Sequence, residues 1–589
     1  MGKLKYYGLM WKYIRLLVLK KETLGRTTEA MAAKRGDATC LLFEDERITF
    51  AEFNARANRR AHLFRSVGVN KGDVVCLLME NRPEFLETLA GLSKLGAVTA
   101  GINYNLKGQA LIHSLKISGG SKAIVGAECL TTFKEAMAEE ACIAPQDTFV
   151  DTRWEADTQP PPGSRNLNEL LAEASTENPA RVAMNSNDLF MLIYTSGTTG
   201  MPKAAKVNHL RWYSAGIGMG WYGMGVGPAD TVYCALPLYH SNGALIAFGS
   251  ALVNGAALAI SRRFSSAQFW EEVSRCGATC FIYIGEVLRY LVNTPPGPHD
   301  RDHKVTRILG NGLRPDIWET FQQRFGIGHI REFYSSTEGN AHTLNLNDVP
   351  GSVGTIILKS SDNLYLARYD VESEAHIRDE KGFCRKCEVG EAGELLGKIK
   401  STTPFAGYTN EEESNKKLMR DVFEQGDVFF RTGDLLKKDA EGNYFFIDRI
   451  GDTFRWKGEN VSTHEVAEVI ANFSGMAFVN VYGVEVPGTE GRVGMAAVTM
   501  ESGRSFDPKA FFEFTDQRLP SYSQPAFVRI KPELELTGTF KMTKTELKST
   551  GFNPELVDDP IYFREQGQAS YVPVDKPLFD RIQSGDLRV

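Results

Sequence analysis

Residues Tyr194–Lys203 read YTSGTTGMPK, directly after the apolar run LFMLI (Leu189–Ile193). Gly197 and Gly200 let the backbone turn its N–H groups toward an anion with no Cβ in the way. Thr195, Ser196, Thr198 and Thr199 add hydroxyl donors, and Lys203 adds a positive charge, so the chemistry on offer is a grip on phosphate. A Gly/Thr-rich hairpin loop has the same composition. The usual phosphate loop is excluded, because Met201 and Pro202 separate Gly200 from Lys203 and Ala204 follows it.

Four further stretches carry chemistry that suits a nucleotide. Tyr334 in EFYSSTEGN (Glu332–Asn340) can stack on a base, with Thr337 as a phosphate donor and Glu338 as a carboxylate for Mg²⁺. RTGD (Arg431–Asp434) ends in an aspartate able to accept both ribose hydroxyls. Arg449 and Asp452 fall in DRIGDTF (Asp448–Phe454), and Lys541 falls in LELTGTFKMTK. Singly, each reads as a turn, a hairpin loop or a solvated lysine; the ordered set is what carries weight.

These residues need a frame. VVCLLM (Val74–Met79) precedes a helical pattern with Pro83 near its start and leucines at 86, 89, 92 and 95. AIV (Ala123–Val125), LFMLI, TVYCALPL (Thr231–Leu238), TCFIYI (Thr279–Ile284) and RIL (Arg307–Leu309) also read as strands. The alternation predicts an α/β fold with at least partly parallel sheets. Ligands in such folds gather at the carboxyl ends of strands, where YTSGTTGMPK lies. Ala156–Asn166 and Thr294–Lys304 are proline-rich and read as surface loops. The last stretch changes character, giving expected units of 1–25, 26–450 and 451–589, with Gly451 as a hinge able to take large φ/ψ changes.

The 589 residues are 42% hydrophobic and 24% charged with net charge -6, which gives no global electrostatic reason to bind nucleic acid. Nine cysteines are too sparse for a disulfide framework and fit a reducing cytosol. The CxxC at Cys384 and Cys387 lacks a second ligand pair at readable spacing, so structural cysteines outweigh a metal site. The N-terminus, MGKLKYYGLMWKYIRLLVLKK, has six basic residues and no acid before Glu22. On a helical wheel Lys5, Gly8, Lys12 and Arg15 share one narrow face with apolar and aromatic residues around it. Charges at 12 and 15 come too early for a spanning helix. The segment suits a membrane surface, the competing reading being a helix packed on the protein's own core.

YTSGTTGMPK, YSSTEG, RTGD, a DRxGD hinge and a late lysine, in this order, resemble the adenylate-forming superfamily of acyl-CoA synthetases, peptide-synthetase adenylation domains and luciferases. The resemblance spans roughly residues 30–570. Phe281–Asn293, Gly310–Trp318, Asp452–Thr463 and Thr537–Lys541 are similar to the very-long-chain acyl-CoA synthetase and fatty-acid transport protein branch. It implies a large domain of sheets covered by helices plus a small mobile α+β domain. The implied reaction joins a fatty acid and ATP into an acyl-adenylate, from which coenzyme A displaces AMP. No covalent enzyme intermediate is required.

The resemblance assigns β/γ-phosphates to Thr195–Lys203, adenine to Tyr334 with Asn311 and Gly312, and the α-phosphate to Thr337. It assigns Mg²⁺ to Glu338, ribose to Asp434 and Arg449, and the bridge between carboxylate and α-phosphate to Lys541. His240 in LPLYHSNG lies where relatives line the acyl tunnel; the residues of Phe281–Leu291, Tyr283 and Gly285 among them, fit an acyl channel and core packing equally, and Gly458 would approach the thiol. Three departures stand. Relatives often have a charged or polar residue where Gly451 lies. Thr539-Phe540 intervene before Lys541, which keeps Lys544 and Lys548 as candidates. Eukaryotic relatives often start with a clear spanning helix. Two other readings are an acyl-AMP ligase serving a carrier protein and a non-catalytic fatty-acid transport or binding protein; a sterol-type acid is another possible substrate. The expected setting is the cytoplasmic face of a membrane, with removal of residues 1–21 weakening liposome binding while sparing soluble shorter acids.

Overall fold

The computed structural model describes residues 3–155, 157–196, 201–358, 362–371, 373–457, 459–487, 489, 491–534 and 544–587. Val74–Leu78 is buried on both faces, as its unbroken apolar run requires of a parallel strand flanked by helices. It sits in a seven-stranded sheet with Val98–Gly101 and Lys122–Gly126 as parallel neighbours. Leu189–Ser196 pairs parallel with Val98–Gly101 on one side and antiparallel with Pro202–Asn208 on the other. The helix Pro83–Leu95 begins with proline, ends at a left-handed Gly96 (φ 74) and is buried along its whole length. Its Glu87 survives burial by pairing with Arg60 at 2.6 Å.

The second sheet has eight strands. Thr39–Phe43, Ala257–Ile260, Thr231–Cys234, Cys280–Ile284, Arg307–Asn311 and His329–Ser335 run parallel, with antiparallel strands at both edges. The expected Thr231–Leu238 strand stops at Cys234, before Pro237. A third sheet, from Ser352–Gly354 to Tyr444–Arg449, is antiparallel. Beyond it, a five-stranded sheet has its own apolar core, running from Phe454 to Ile582. This unit rests on the large body through Arg314 Nη2 donating to Ala467 O (2.5 Å) and Tyr290 against Phe478, ring centres 4.7 Å apart.

Helix α1 (Lys3–Leu19) packs on the large body, the competing reading of the N-terminus. Leu9 and Leu16 are buried in the main core. Lys5 and Lys12 lie 5.6 and 5.0 Å from the ring centre of Trp221, so their face of the helix meets the protein. Gly218, in the glycine-rich π-helix Gly216–Met224, faces α1: a Cβ there would lie 2.9 Å from the Tyr13 hydroxyl, so a larger residue would have to displace that side chain. Among the described residues no helix is long and apolar enough to cross a membrane.

Candidate active site

A cavity of about 1720 Å³ draws its wall from all three sheets of the large body and from α1. Typical small-ligand pockets hold about 300–1,000 Å³, so two ligands fit here. Thr195, Lys203, His240, Asn311, Thr337, Glu338, Asp434 and Arg449 all face it.

The strands on either side of the expected phosphate loop pair antiparallel. Thr195 pairs with Lys203 across the antiparallel strands. Gly197, Thr198, Thr199 and Gly200 lie outside the described residues, as does the Ser196 side chain. Tyr194 faces away from any phosphate role, donating to Ser114 O at 2.8 Å and anchoring the strand. Lys203 forms an ion pair with Glu413, a carboxylate more than two hundred residues on.

Thr337 and Glu338 are held by a residue the sequence reading missed. Arg211, on the helix His209–Ala215, donates to Gly339 O (2.5 Å) and to Ser336 O, bracketing the pair. Burial lowers the Arg211 pKa to about 10, while the nearby Glu338 charge acts in the opposite direction. Thr337 Oγ1 and Ser241 Oγ are 3.3 Å apart. Tyr408 lies near Glu338, and burial, followed by that carboxylate's charge, pushes the phenol far above its ordinary pKa.

Asp434 and Arg449 are register partners, with Oδ1 and Nε 4.0 Å apart. Tyr334 donates to Asp434 Oδ2 at 2.5 Å. Its ring packs in a small core with Leu395 and Leu436, so Tyr334 stands behind the Asp434 wall rather than forming part of it. Asn311 Oδ1 accepts from Asn242 at 3.0 Å. Gly312 (φ 81) donates to Glu332 Oε2 at 2.9 Å, and Leu313 donates to Oε1 at 3.2 Å.

Two expected substrate contacts need correction. Tyr283 is fully buried and donates to Glu332 Oε1 at 2.5 Å, so it supports the 311–313 loop and does not touch the cavity. Parallel strands are buried on both faces, and the side facing the cavity is Ile284. Gly285 also serves the backbone: a Cβ there would fall 1.7 Å from Gly312 O. Glu332 carries this arrangement, and burial raises its pKa to about 8. The available signal was a glutamate two residues before Tyr334, in a strand that follows the apolar parallel strands TCFIYI and RIL.

Leu236, Met219, Leu245 and Ile246 give the same cavity an apolar lining. Gly451, the expected hinge, has φ 88. Lys544 and Lys548 both bind Asp452, at 3.2 and 2.9 Å, which holds these two lysines beside Gly451. Lys541 and Gly458 lie outside the described residues.

The sequence matches the profile of the AMP-binding enzymes over residues 28–409 and that of the AMP-binding enzyme C-terminal domain over 465–541. It is 41% identical to long-chain fatty acid transport protein 2 of Rattus norvegicus over 93% of this chain and 88% of that one. It is 38% identical to the medium/long-chain-fatty-acid–CoA ligase FadD6 of Mycobacterium tuberculosis, over 94% and 90%. In fold it is similar to an anthranilate CoA ligase solved with anthranoyl-AMP (TM-score 0.78, 20% identity, 91% of this chain and 98% of that one). It is also similar to a Mycobacterium tuberculosis fatty acyl CoA synthetase (TM-score 0.60, 24% identity, 90% and 98%).

Proposed function

The chain belongs to the AMP-binding enzyme family, and from that premise we propose that it is an ATP-dependent long- or very-long-chain fatty acyl-CoA ligase. The observation that carries this reading is the joining, in one cavity, of phosphate- and ribose-type side chains to an apolar pocket. A fatty carboxylate enters with its chain in that pocket and its oxygens toward Thr337. One carboxylate oxygen attacks the α-phosphorus of ATP, the bond to the bridging oxygen breaks, and pyrophosphate leaves. The thiol of coenzyme A then attacks the acyl carbon and AMP departs with the electron pair.

The reaction is chiefly positioning and charge stabilisation. Lys203 and Thr195 hold the outer phosphates, Asp434 and Arg449 the ribose, and the Glu332-braced loop the adenine edge. Glu338, beside Thr337 and the Tyr408 hydroxyl, offers the oxygen donors that suit Mg²⁺, which when bound neutralises phosphate charge. The resemblance alone assigns Lys541 to bridge the two reacting anions. Residues 451–589 form the moving unit in this reading, with Gly451 as hinge.

A membrane-surface setting on the cytoplasmic side fits the apolar residues that α1 leaves exposed. The test is exchange of labelled pyrophosphate into ATP. Exchange that requires a fatty acid and ceases on chelation of Mg²⁺ is expected; no exchange with acids of any length would refute adenylation.

A further inference from the structure

Helix α1 carries two apolar faces, and only one meets the protein. On the inner side Met10, Tyr13 and Leu17 help form the cavity wall, and Tyr13 donates to Ser214 O at 3.1 Å. On the outer side Leu4, Tyr7, Trp11, Ile14 and Val18 are 54% to 90% exposed, spaced three and four residues apart as one stripe. Ile14 belongs to both: it lines the cavity and faces solvent. The cavity's outer boundary beside α1 is therefore one helix thick.

We propose that α1 is the outer wall and portal of the acyl pocket. Its inner residues touch the acyl chain and set the accepted length, and its outer stripe lies in a lipid bilayer from which the chain passes. The occupant of the stripe follows from its chemistry. Trp and Tyr among large aliphatics, with Lys20 and Lys21 at the helix end, suit the headgroup boundary of a bilayer. A long acyl chain, poorly soluble in water, would otherwise have to cross solvent to reach this cavity. The identity of the substrate rests on the ligase reading; the position of the wall does not. If α1 is a wall, removing residues 1–21 opens the pocket and also removes the lipid-facing stripe, so deletion does not separate the two roles.

Substitutions in the full chain do separate them. Displacement of cis-parinaric acid by C8–C20 acids, without lipid, reads the pocket directly. Leu17→Trp fills the inner face and should weaken binding of the longest acids by about fourfold for each methylene excluded, leaving octanoate unchanged. Met10→Ala should extend the accepted length by about two carbons, on the same scale. Tyr7→Glu combined with Trp11→Glu should keep the wild-type displacement profile but bind vesicles of phosphatidylcholine and phosphatidylglycerol at least about tenfold more weakly. Unchanged profiles in both inner-face variants would overturn the wall. Vesicle binding unchanged by the outer pair, or a wild-type dimer lost in that pair, would overturn the lipid assignment. A profile that responds to Leu17→Trp in a protein that consumes no ATP with any acid would refute the ligase reading and leave the wall standing.

Discussion

Replacing Arg211 by methionine keeps most of the stem volume and removes both donors that bracket Thr337 and Glu338. Hydrogen bonds with a charged partner contribute about 1.5–3 kcal/mol each, so losing two costs about 3–6 kcal/mol. Against this, the fall of the Arg211 pKa from 12.5 to about 10 reflects about 3 kcal/mol of unfavourable burial that methionine escapes. The net loss of stability is about 0–3 kcal/mol, small enough for the fold to survive. Activity is more exposed, because Ser336–Gly339 would lose the clamp that sets its position. A displacement of about 1 Å in a positioning element lowers rate by about 10²-fold. The assay is fatty-acid-dependent pyrophosphate exchange together with thermal melting. Arg211→Met is expected to lower exchange about 100-fold while the protein melts as one folded species. Arg211→Lys should recover only part, since an ammonium group lacks the planar fork that reaches two carbonyls. Full exchange by Arg211→Met would refute the reasoning, and so would equal recovery by lysine.

Glu413→Gln releases Lys203 from its ion pair, and should lower KM for ATP about two- to fivefold in initial-rate kinetics, the range of a partly exposed pair; a higher KM would contradict this. Gly285→Ala places a Cβ on Gly312 O, and should raise KM for ATP at least about tenfold with lost thermal stability, against unchanged kinetics if the two loops can separate. The Glu332 pKa is raised from 4.5 to about 8, so the folded chain holds a proton that the unfolded chain has released. That contribution is fully present below pH 4.5 and declines until about pH 8. Urea midpoints for Glu332→Gln should therefore vary less between pH 5 and pH 8 than those of the parent, and an equal slope would refute the assignment.

The parts of the site that were legible are local ones. Leu189–Ser196 and the strand that carries Lys203 are neighbours in sequence and pair antiparallel, and Asp434 and Arg449 sit on paired strands within twenty residues. The parts that were not legible come from tertiary contact. Nothing near Arg211 in sequence points to Ser336, and nothing near Lys203 points to Glu413. For Tyr283 the sequence leaves core packing and the acyl pocket both open, because a doubly buried parallel strand has no alternation to separate its core side from its cavity side. For α1 the helical wheel groups Lys5, Gly8 and Lys12 on one face but does not say which side of the helix meets the protein. Trp221, far away in sequence, draws those ammonium groups inward and leaves an apolar stripe outside.

The most direct test of the central claim is mass spectrometry of the protein with ATP, Mg²⁺ and a C8–C24 fatty-acid panel, with and without coenzyme A. Acyl-adenylate without coenzyme A, and acyl-CoA with AMP when it is added, are the expected products. Acyl-adenylate that never becomes thioester would shift the reaction to another acceptor, such as a carrier protein, and no nucleotide turnover with any acid would contradict the account outright.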